Sequence, residues 1–95
     1  MKFAVTTLRR AESDLISIHA WIAERSILGA SRWYEAARRS INSLAYDAEQ
    51  HGIARESKRL GIELREKLFK TRRGRPYRLL YVIVGQEVRV LRVRG

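Results

Sequence analysis

The chain has 95 residues and a net charge of +10, because 20 Lys and Arg outnumber 10 Asp and Glu. This length permits one domain with a modest core, spanning residues 1–95. The chain has no cysteine for disulfides and no apolar run long enough for a signal peptide or a membrane span, so we expect a cytoplasmic protein. The positive surplus favours a polyanionic partner such as nucleic acid, a ribosome or an acidic protein, although it also serves solubility alone.

The start of the chain predicts a short strand followed by a helix. Residues Lys2–Leu8 alternate weakly between apolar and polar side chains, as a strand does. From Ala11, apolar residues recur at intervals of three or four, which predicts an amphipathic helix that ends near Arg25. Trp21 flanks this apolar stripe and widens it.

A second helix is predicted from about Leu28 to Ala48, after a break marked by Ser26 and Gly29. Its apolar stripe comprises Ala30, Trp33, Ala37, Ile41, Leu44 and Ala48. Two amphipathic helices joined by a short break predict an antiparallel αα-hairpin. Both stripes must then lie on a shared apolar surface.

The second half of the chain predicts three strands. Residues 50–61 hold either one short helix between two glycines or a basic loop. Strand patterns follow at Leu64–Phe69, Tyr77–Val84 and Glu87–Arg94, with a basic turn before the second and Gly85-Gln86 as a tight turn before the third. The prediction is an α+β fold: an N-terminal strand, an αα-hairpin and a three-stranded antiparallel meander, with the helices packed on one face of the sheet.

One arginine, Arg78, stands in the otherwise apolar run of the middle strand of this meander. Alternation puts Tyr77 and Leu79 on the face toward the helices and Arg78 on the opposite face. Because an unpaired guanidinium is too costly to bury, that second face must be open to water or a partner. Two interpretations stay open: a functional surface, or structural pairing with a carboxylate such as Glu63, Glu66 or Glu87.

Other cations are predicted to join Arg78 on this free face. Arg65 and Lys67 share one side of their strand with Phe69, and the last strand is expected to group Arg92 and Arg94 with Val88 and Val90. The turn after Phe69 adds Arg72, Arg73 and Arg75. Together these residues would form a basic, half-apolar concavity suited to phosphate contact.

Signals for metal binding or catalysis are weak. The two histidines, His19 and His51, have no metal-ligand spacing and there is no cysteine, so we predict no metal and no cofactor. The sequence has no nucleophile motif and no glycine-rich phosphate loop. Tyr77 and Tyr81 offer phenols for acid–base chemistry, but their strand parity puts them in the core.

Four segments of the chain follow the pattern of a known protein family. They are "AESDLISIHAWIAE", "ASRWYEAARRSINSL", "LREKL" and "PYRLLYVIVGQEVRVLRV", and they cover nearly the whole chain. In this order they resemble the ParE/RelE superfamily of bacterial toxins from type II toxin–antitoxin modules. The closing strand pair is the most specific part, whereas Trp21 stands where the family often has Tyr.

The resemblance implies one of two activities on the same fold. ParE-like members inhibit DNA gyrase. RelE-like members cut messenger RNA in the ribosome, using the arginine of the "YR" strand, which corresponds to Arg78, and they carry lysines near the positions of Lys67 and Lys70. The sequence given ends at Gly95 without the Tyr, His or Arg-rich tail of RelE-like members, which favours the ParE-like interpretation.

The resemblance also implies a cognate antitoxin, bound in a toxin–antitoxin hetero-oligomer. Because the chain carries +10, we expect an acidic, amphipathic antitoxin tail that folds on binding. We expect the antitoxin tail to bind in the groove beside the αα-hairpin and along the free edge of the sheet. The tail should cover Arg65, Arg78 or Arg92, with apolar anchors near Trp21 and Trp33.

Overall fold

A computed structural model describes residues 2–95 of the chain. Its elements are β1 (Ala4–Thr7), α1 (Arg9–Ala23), α2 (Ile27–Asp47), a 3₁₀ turn (Ala48–Gln50), α3 (Glu56–Leu60), β2 (Arg65–Phe69), β3 (Tyr77–Val84) and β4 (Glu87–Arg94). The predicted strand, αα-hairpin and meander are therefore confirmed, with element ends within about two residues of the expected ones. In the uncertain region 50–61, the short-helix alternative is the one that forms.

The four strands form one mixed sheet in the order β1-β4-β3-β2. Strands β2, β3 and β4 pair antiparallel, as a meander does. Strand β1 pairs parallel with β4, so the N-terminal strand lies beside the last one. The αα-hairpin and residues 48–64 carry the chain from β1 at one edge of the sheet to β2 at the other edge, which runs in the same direction as β1.

Helices α1 and α2 bury their predicted stripes against one face of the sheet. Ala11 and Leu15 of α1 are fully buried, and Ile18 and Ile22 pack partly buried on the same core. The α2 residues that are buried include Ala30, Trp33, Ala37, Ile41 and Leu44. Beneath them the helix-facing side chains of β3, Leu79 and Tyr81 among them, complete the core. The predicted facing of β3 is confirmed.

Local capping and turn residues explain where the elements end. The Ser26 hydroxyl accepts a hydrogen bond from the Gly29 amide at 2.8 Å and caps α2, as N-terminal serines do. Gly61 ends α3 with φ of 70°, and Gly85 has φ of 61° in the tight turn between β3 and β4. Both glycines adopt left-handed backbone that other residues reach only at a cost.

The second face of the sheet is also covered, contrary to the expectation that it is open. Ala54, Leu64 and Leu80 form a small buried cluster there, with Val82 and Leu91 packed against it. The segment before β2 runs along the β2 edge, where the Glu66 amide donates to the Gly52 carbonyl. The expectation was wrong because residues 52–64 fold back over this face and shield its apolar side chains.

The last strand carries a β-bulge that simple alternation did not anticipate. The β3–β4 register shifts at Leu91, which has no ladder partner. As a result Val90 and Val93 are both buried in the main core, whereas Arg92 lies opposite Leu80 on the second face. The predicted grouping of Arg92 and Arg94 with Val90 was wrong, because one inserted residue reverses the alternation beyond it.

Within residues 2–95, no helix is both long and apolar enough to cross a membrane.

Candidate functional site

Arg78 sits in an ion-pair network with two carboxylates. Its guanidinium donates to both carboxylate oxygens of Glu56, at 3.0 and 2.6 Å, and to Glu66 at 2.9 Å. The hydrogen bonds from Arg78 lower the pKa of Glu56 to about 2. Pairing with Glu66 was one of the two sequence interpretations, and Glu56 of α3 is an addition that only the tertiary fold provides. The guanidinium is therefore occupied from two sides.

Lys67 is placed on the helix-facing side of the sheet, away from Arg78. It lies opposite Leu79 in the β2–β3 ladder, and cross-strand partners share a face. Its ammonium bonds the Asp47 carboxylate at 3.0 Å and the Ser40 carbonyl at 3.0 Å, and also the Ser43 hydroxyl. The residue is only 8% exposed. The expectation that Lys67 joins a basic concavity on the second face was wrong.

Arg65 shares the helix-facing side with Lys67 and is likewise engaged. One guanidinium nitrogen donates to the His51 carbonyl at 2.7 Å and the other to the Glu63 carboxylate at 2.9 Å. The predicted convergence of Arg65 and Arg78 is wrong, because Arg65 lies opposite Tyr81, whose side chain points toward the helices, whereas Arg78 points to the other face.

Arg92 lies in the part of β4 that extends past the residues paired with β1, and it forms an ion pair with Asp14 of α1. Its guanidinium bonds both carboxylate oxygens, at 2.9 and 3.1 Å, and the Val93 amide donates to the same carboxylate at 2.8 Å. Burial raises the pKa of Asp14, but the hydrogen bonds from Arg92 and Val93 together lower it by more, so the pKa lies below its usual value. Arg94, opposite Arg78 in the ladder, is exposed and has no ion pair within residues 2–95.

The predicted residues that do come together line a groove between the αα-hairpin turn and the β2–β3 turn. This cavity has a volume of about 680 Å³. Its aromatic residues are Trp21, Trp33 and Tyr77, and its charged residues are Arg32, Arg72, Arg73 and Arg75. We call it the aromatic–arginine groove. Gly74 lets the β2–β3 turn close beside it, because a Cβ there would collide with the Thr71 hydroxyl.

The two tryptophans of the groove have different roles. Trp33 is 3% exposed and packs against Phe69 in a tilted arrangement and against Tyr77 edge-to-face, at centroid distances of 5.8 and 5.2 Å. Trp21 is 49% exposed, with the Arg25 guanidinium 3.9 Å from its ring centroid and that of Arg75 at 6.0 Å. Trp33 therefore anchors the groove in the core, and Trp21 is its accessible ring.

A second surface lies along the exposed part of the β2 edge. The Glu66 amide points away from β3, so the backbone of Leu68, two residues on, faces the same way. Within residues 2–95 no protein group bonds the Leu68 amide. A shallow depression beside it is lined by Arg39, Tyr46, Leu68 and Lys70, among others. Leu68 and Tyr46 are 60% and 68% exposed. We call these four residues the β2-edge surface.

Sequence reasoning missed several residues of these surfaces. Arg32 precedes Trp33 on α2, and its place next to the apolar stripe was the available signal. Arg39, Tyr46 and Leu68 gave none, because only the packing of α2 beside β2 brings them together. Lys70 was predicted as a site residue, but it lies on the β2-edge surface rather than in the groove.

Acid–base chemistry finds little support in the described residues. The Tyr81 phenol is fully buried and donates to the Ala48 carbonyl at 2.6 Å. Burial raises its pKa to about 12, so it holds its proton at neutral pH. No cluster of three or more His, Cys, Asp or Glu side chains within residues 2–95 is arranged to hold a metal ion.

Comparisons with known proteins agree with this fold. The sequence model of a protein family described as the ParE toxin of the type II toxin–antitoxin system parDE matches residues 5–95. Among solved structures, one from a chromosomal ParDE toxin–antitoxin system of P. aeruginosa superposes with a TM-score of 0.70 at 20% sequence identity. The match covers 98% of this chain and 95% of that one. A search of curated protein sequences found no match.

Proposed function

This chain belongs to the ParE toxin family of type II toxin–antitoxin systems, and we propose that it inhibits DNA gyrase in the cytoplasm until an acidic antitoxin binds it. Family membership supports a toxin with an antitoxin partner. The choice of gyrase rests on the ParE branch of the superfamily, whose members bind their target rather than cleave RNA.

The state of Arg78 is the observation that favours target binding over RNA cleavage. In the RelE-like interpretation this arginine takes part in the cleavage of messenger RNA. Here Glu56 and Glu66 hold it through three hydrogen bonds. A phosphate would have to displace two carboxylates that already neutralise the guanidinium, which opposes the stabilisation of charge that phosphate cleavage needs.

The β2-edge surface supports a docking site for an acidic antitoxin segment. The outward backbone of Leu68 offers an unpaired strand edge, and a partner strand can add to such an edge through main-chain hydrogen bonds. Arg39 and Lys70 flank it with positive charge, and Tyr46 and Leu68 provide exposed apolar contacts. Arg65, Arg78 and Arg92 are less suitable contacts than expected, because each already has a carboxylate partner.

The test is supercoiling of relaxed plasmid DNA by purified gyrase with and without the protein. We expect inhibition with accumulation of cleaved DNA, and reversal when the acidic protein encoded beside this gene is added. Relaxation of the same plasmid by topoisomerase I controls for DNA coating by a basic protein and should be unaffected. The Leu79→Asp chain, which keeps nearly all of the positive charge but loses the core, should not inhibit gyrase.

Two results would contradict this proposal. Gyrase could stay fully active at protein concentrations that stop bacterial growth. Alternatively, induction of the chain could arrest translation with messages cut at ribosome-bound positions, and a purified ribosome assay would then favour the RelE-like ribonuclease.

A further inference from the structure

We propose that the aromatic–arginine groove binds a single strand of nucleic acid, with phosphates on Arg72, Arg73 and Arg75 and a base stacked on Trp21. This inference rests on the groove's own geometry and charge. The proposed binding of nucleic acid goes beyond inhibition of gyrase, and its test does not depend on which enzyme the toxin targets.

The positive charge of the groove is not neutralised by the protein. Seven carboxylates make ion pairs within residues 2–95, and every one of their basic partners lies outside the groove. No Asp or Glu lines the cavity, and its four arginines make no ion pair in this part of the chain. The seven paired carboxylates lie elsewhere in the fold, so four exposed guanidinium groups line one cavity that contains no Asp or Glu. Such an arrangement attracts phosphates and releases counterions when they bind.

The accessible aromatic surface of the groove is that of Trp21, since Trp33 and Tyr77 are buried. Trp21 leaves 49% of its surface exposed even though Arg25 stacks on the ring at 3.9 Å. Arg75 lies 5.4 Å from the Tyr77 ring centroid, so a guanidinium that can bind phosphate stands over a second ring. Basic grooves with exposed aromatic rings bind single strands in this way, because each base has a face that can stack.

Buried Trp33 adds a second feature that points to a ligand. Its Nε1 has no hydrogen-bond partner, although the residue is only 3% exposed. Buried indole N–H groups usually find an acceptor. Trp33 is one of the lining residues, so the indole that carries this N–H forms part of the groove wall.

The geometry favours nucleic acid over an acidic peptide at this place. The groove lies beyond the ends of β2 and β3, where Phe69 pairs with Tyr77, so it offers no strand edge for peptide backbone. Ile22 is its one aliphatic side chain among the described lining residues. An amphipathic peptide helix needs several aliphatic contacts in a row.

The test is the binding of a fluorescein-labelled twelve-nucleotide oligothymidine (about one protein-sized site) to the purified protein, by fluorescence anisotropy at several salt concentrations. The triple variant Arg72→Gln, Arg73→Gln and Arg75→Gln should flatten the slope of log K against log salt by about 2 and weaken binding at least tenfold. Trp21→Ala should weaken binding by at least about fivefold, and Trp21→Phe should restore most of the loss.

A matched triple variant, Arg9→Gln, Arg10→Gln and Arg59→Gln, removes the same charge from exposed residues outside the groove. It should change the slope much less. Equal losses from both triple variants would overturn the proposal, since binding would then follow net charge alone. A polyglutamate peptide of equal length and charge that binds as tightly as the oligonucleotide would also overturn it, in favour of an acidic protein. Circular dichroism of each variant establishes that it is folded.

Discussion

At the scale of single residues, two cations of the sheet, Lys67 and Arg78, form ion pairs with helices on opposite faces. Lys67 reaches the C-terminal part of α2, where Asp47 and the polar groups of the last turns surround it. Arg78 reaches α3 on the opposite face of the sheet. Each cation thus ties a strand to a helix. Removing Arg78 would leave Glu56 and Glu66 without an ion pair, and removing Lys67 would leave Asp47 with only the His51 imidazole, 3.4 Å away.

The variant Lys67→Ala should lower the free energy of unfolding by about 3–5 kcal/mol, because Asp47 would lose the partner that compensates its partial burial. Urea denaturation measures this. Lys70→Ala, three residues further along and exposed, is the control and should stay within about 0.5 kcal/mol of the parent. A similar result for both variants would mean that Asp47 is solvated well enough to stand alone.

Acid stability should depend on the Glu56–Arg78 pair. The pKa of Glu56 falls from 4.5 to about 2 on folding, chiefly through the hydrogen bonds from Arg78. The folded state therefore binds this proton more weakly, so its stabilisation is complete above pH 4.5 and is lost as the pH falls towards 2. Thermal melts across this window should show a shallower loss of stability for Glu56→Gln than for the parent. Glu49→Gln, which removes an exposed carboxylate without an ion pair, should leave the slope unchanged.

At the scale of elements, strand β3 is the centre of the main core. Leu79→Asp places a charge at a fully buried position under the helices. We expect a loss of several kcal/mol from a total stability of roughly 5–15 kcal/mol, measured by thermal unfolding. Leu68→Asp, on the neighbouring strand but 60% exposed, should keep its midpoint. An unchanged midpoint for Leu79→Asp would show that the sheet faces the other way.

The open edge of β2 provides a backbone test of antitoxin docking. Leu68→Pro removes an amide that points away from β3, so the sheet keeps its own ladder while a partner strand loses a hydrogen bond. We expect weaker antitoxin binding by isothermal titration calorimetry with little change in the sheet's circular dichroism. Leu68→Ala keeps the amide and should bind more tightly than the proline variant. Full affinity of the proline variant would mean that the antitoxin does not pair with the backbone of β2.

At the scale of the whole molecule, positive charge should speed the encounter with an acidic antitoxin. The net charge of +10 produces a field that screening weakens. Raising salt from about 0.05 to 0.5 M shortens the Debye length about threefold, so the association rate measured by stopped flow should fall steeply. The dissociation rate should change less, because it depends on the contacts formed. An association rate that stays constant across this range would show that charge does not steer the encounter.

The helices, the strands and the main core follow from patterns that are local in the sequence. The helical stripes through Leu15 and Ile41, and the parity of Leu79 and Tyr81, required only local periodicity, because each helix or strand repeats its apolar face at a fixed interval. The family pattern in the closing strands was also readable, since it consists of residues close together in the chain.

The contacts of the charged residues depend instead on the folded arrangement of distant segments. Glu56 meets Arg78 across 22 positions of sequence, and Asp14 meets Arg92 across 78, so no local pattern predicts either pair. The bulge at Leu91 reverses the faces of the residues after it, and one unpaired residue leaves little trace in a pattern of period two. The arginines of the aromatic–arginine groove are brought together by the hairpin turn and the β2–β3 turn, which are about 50 residues apart in the chain, so no local pattern predicts the groove either.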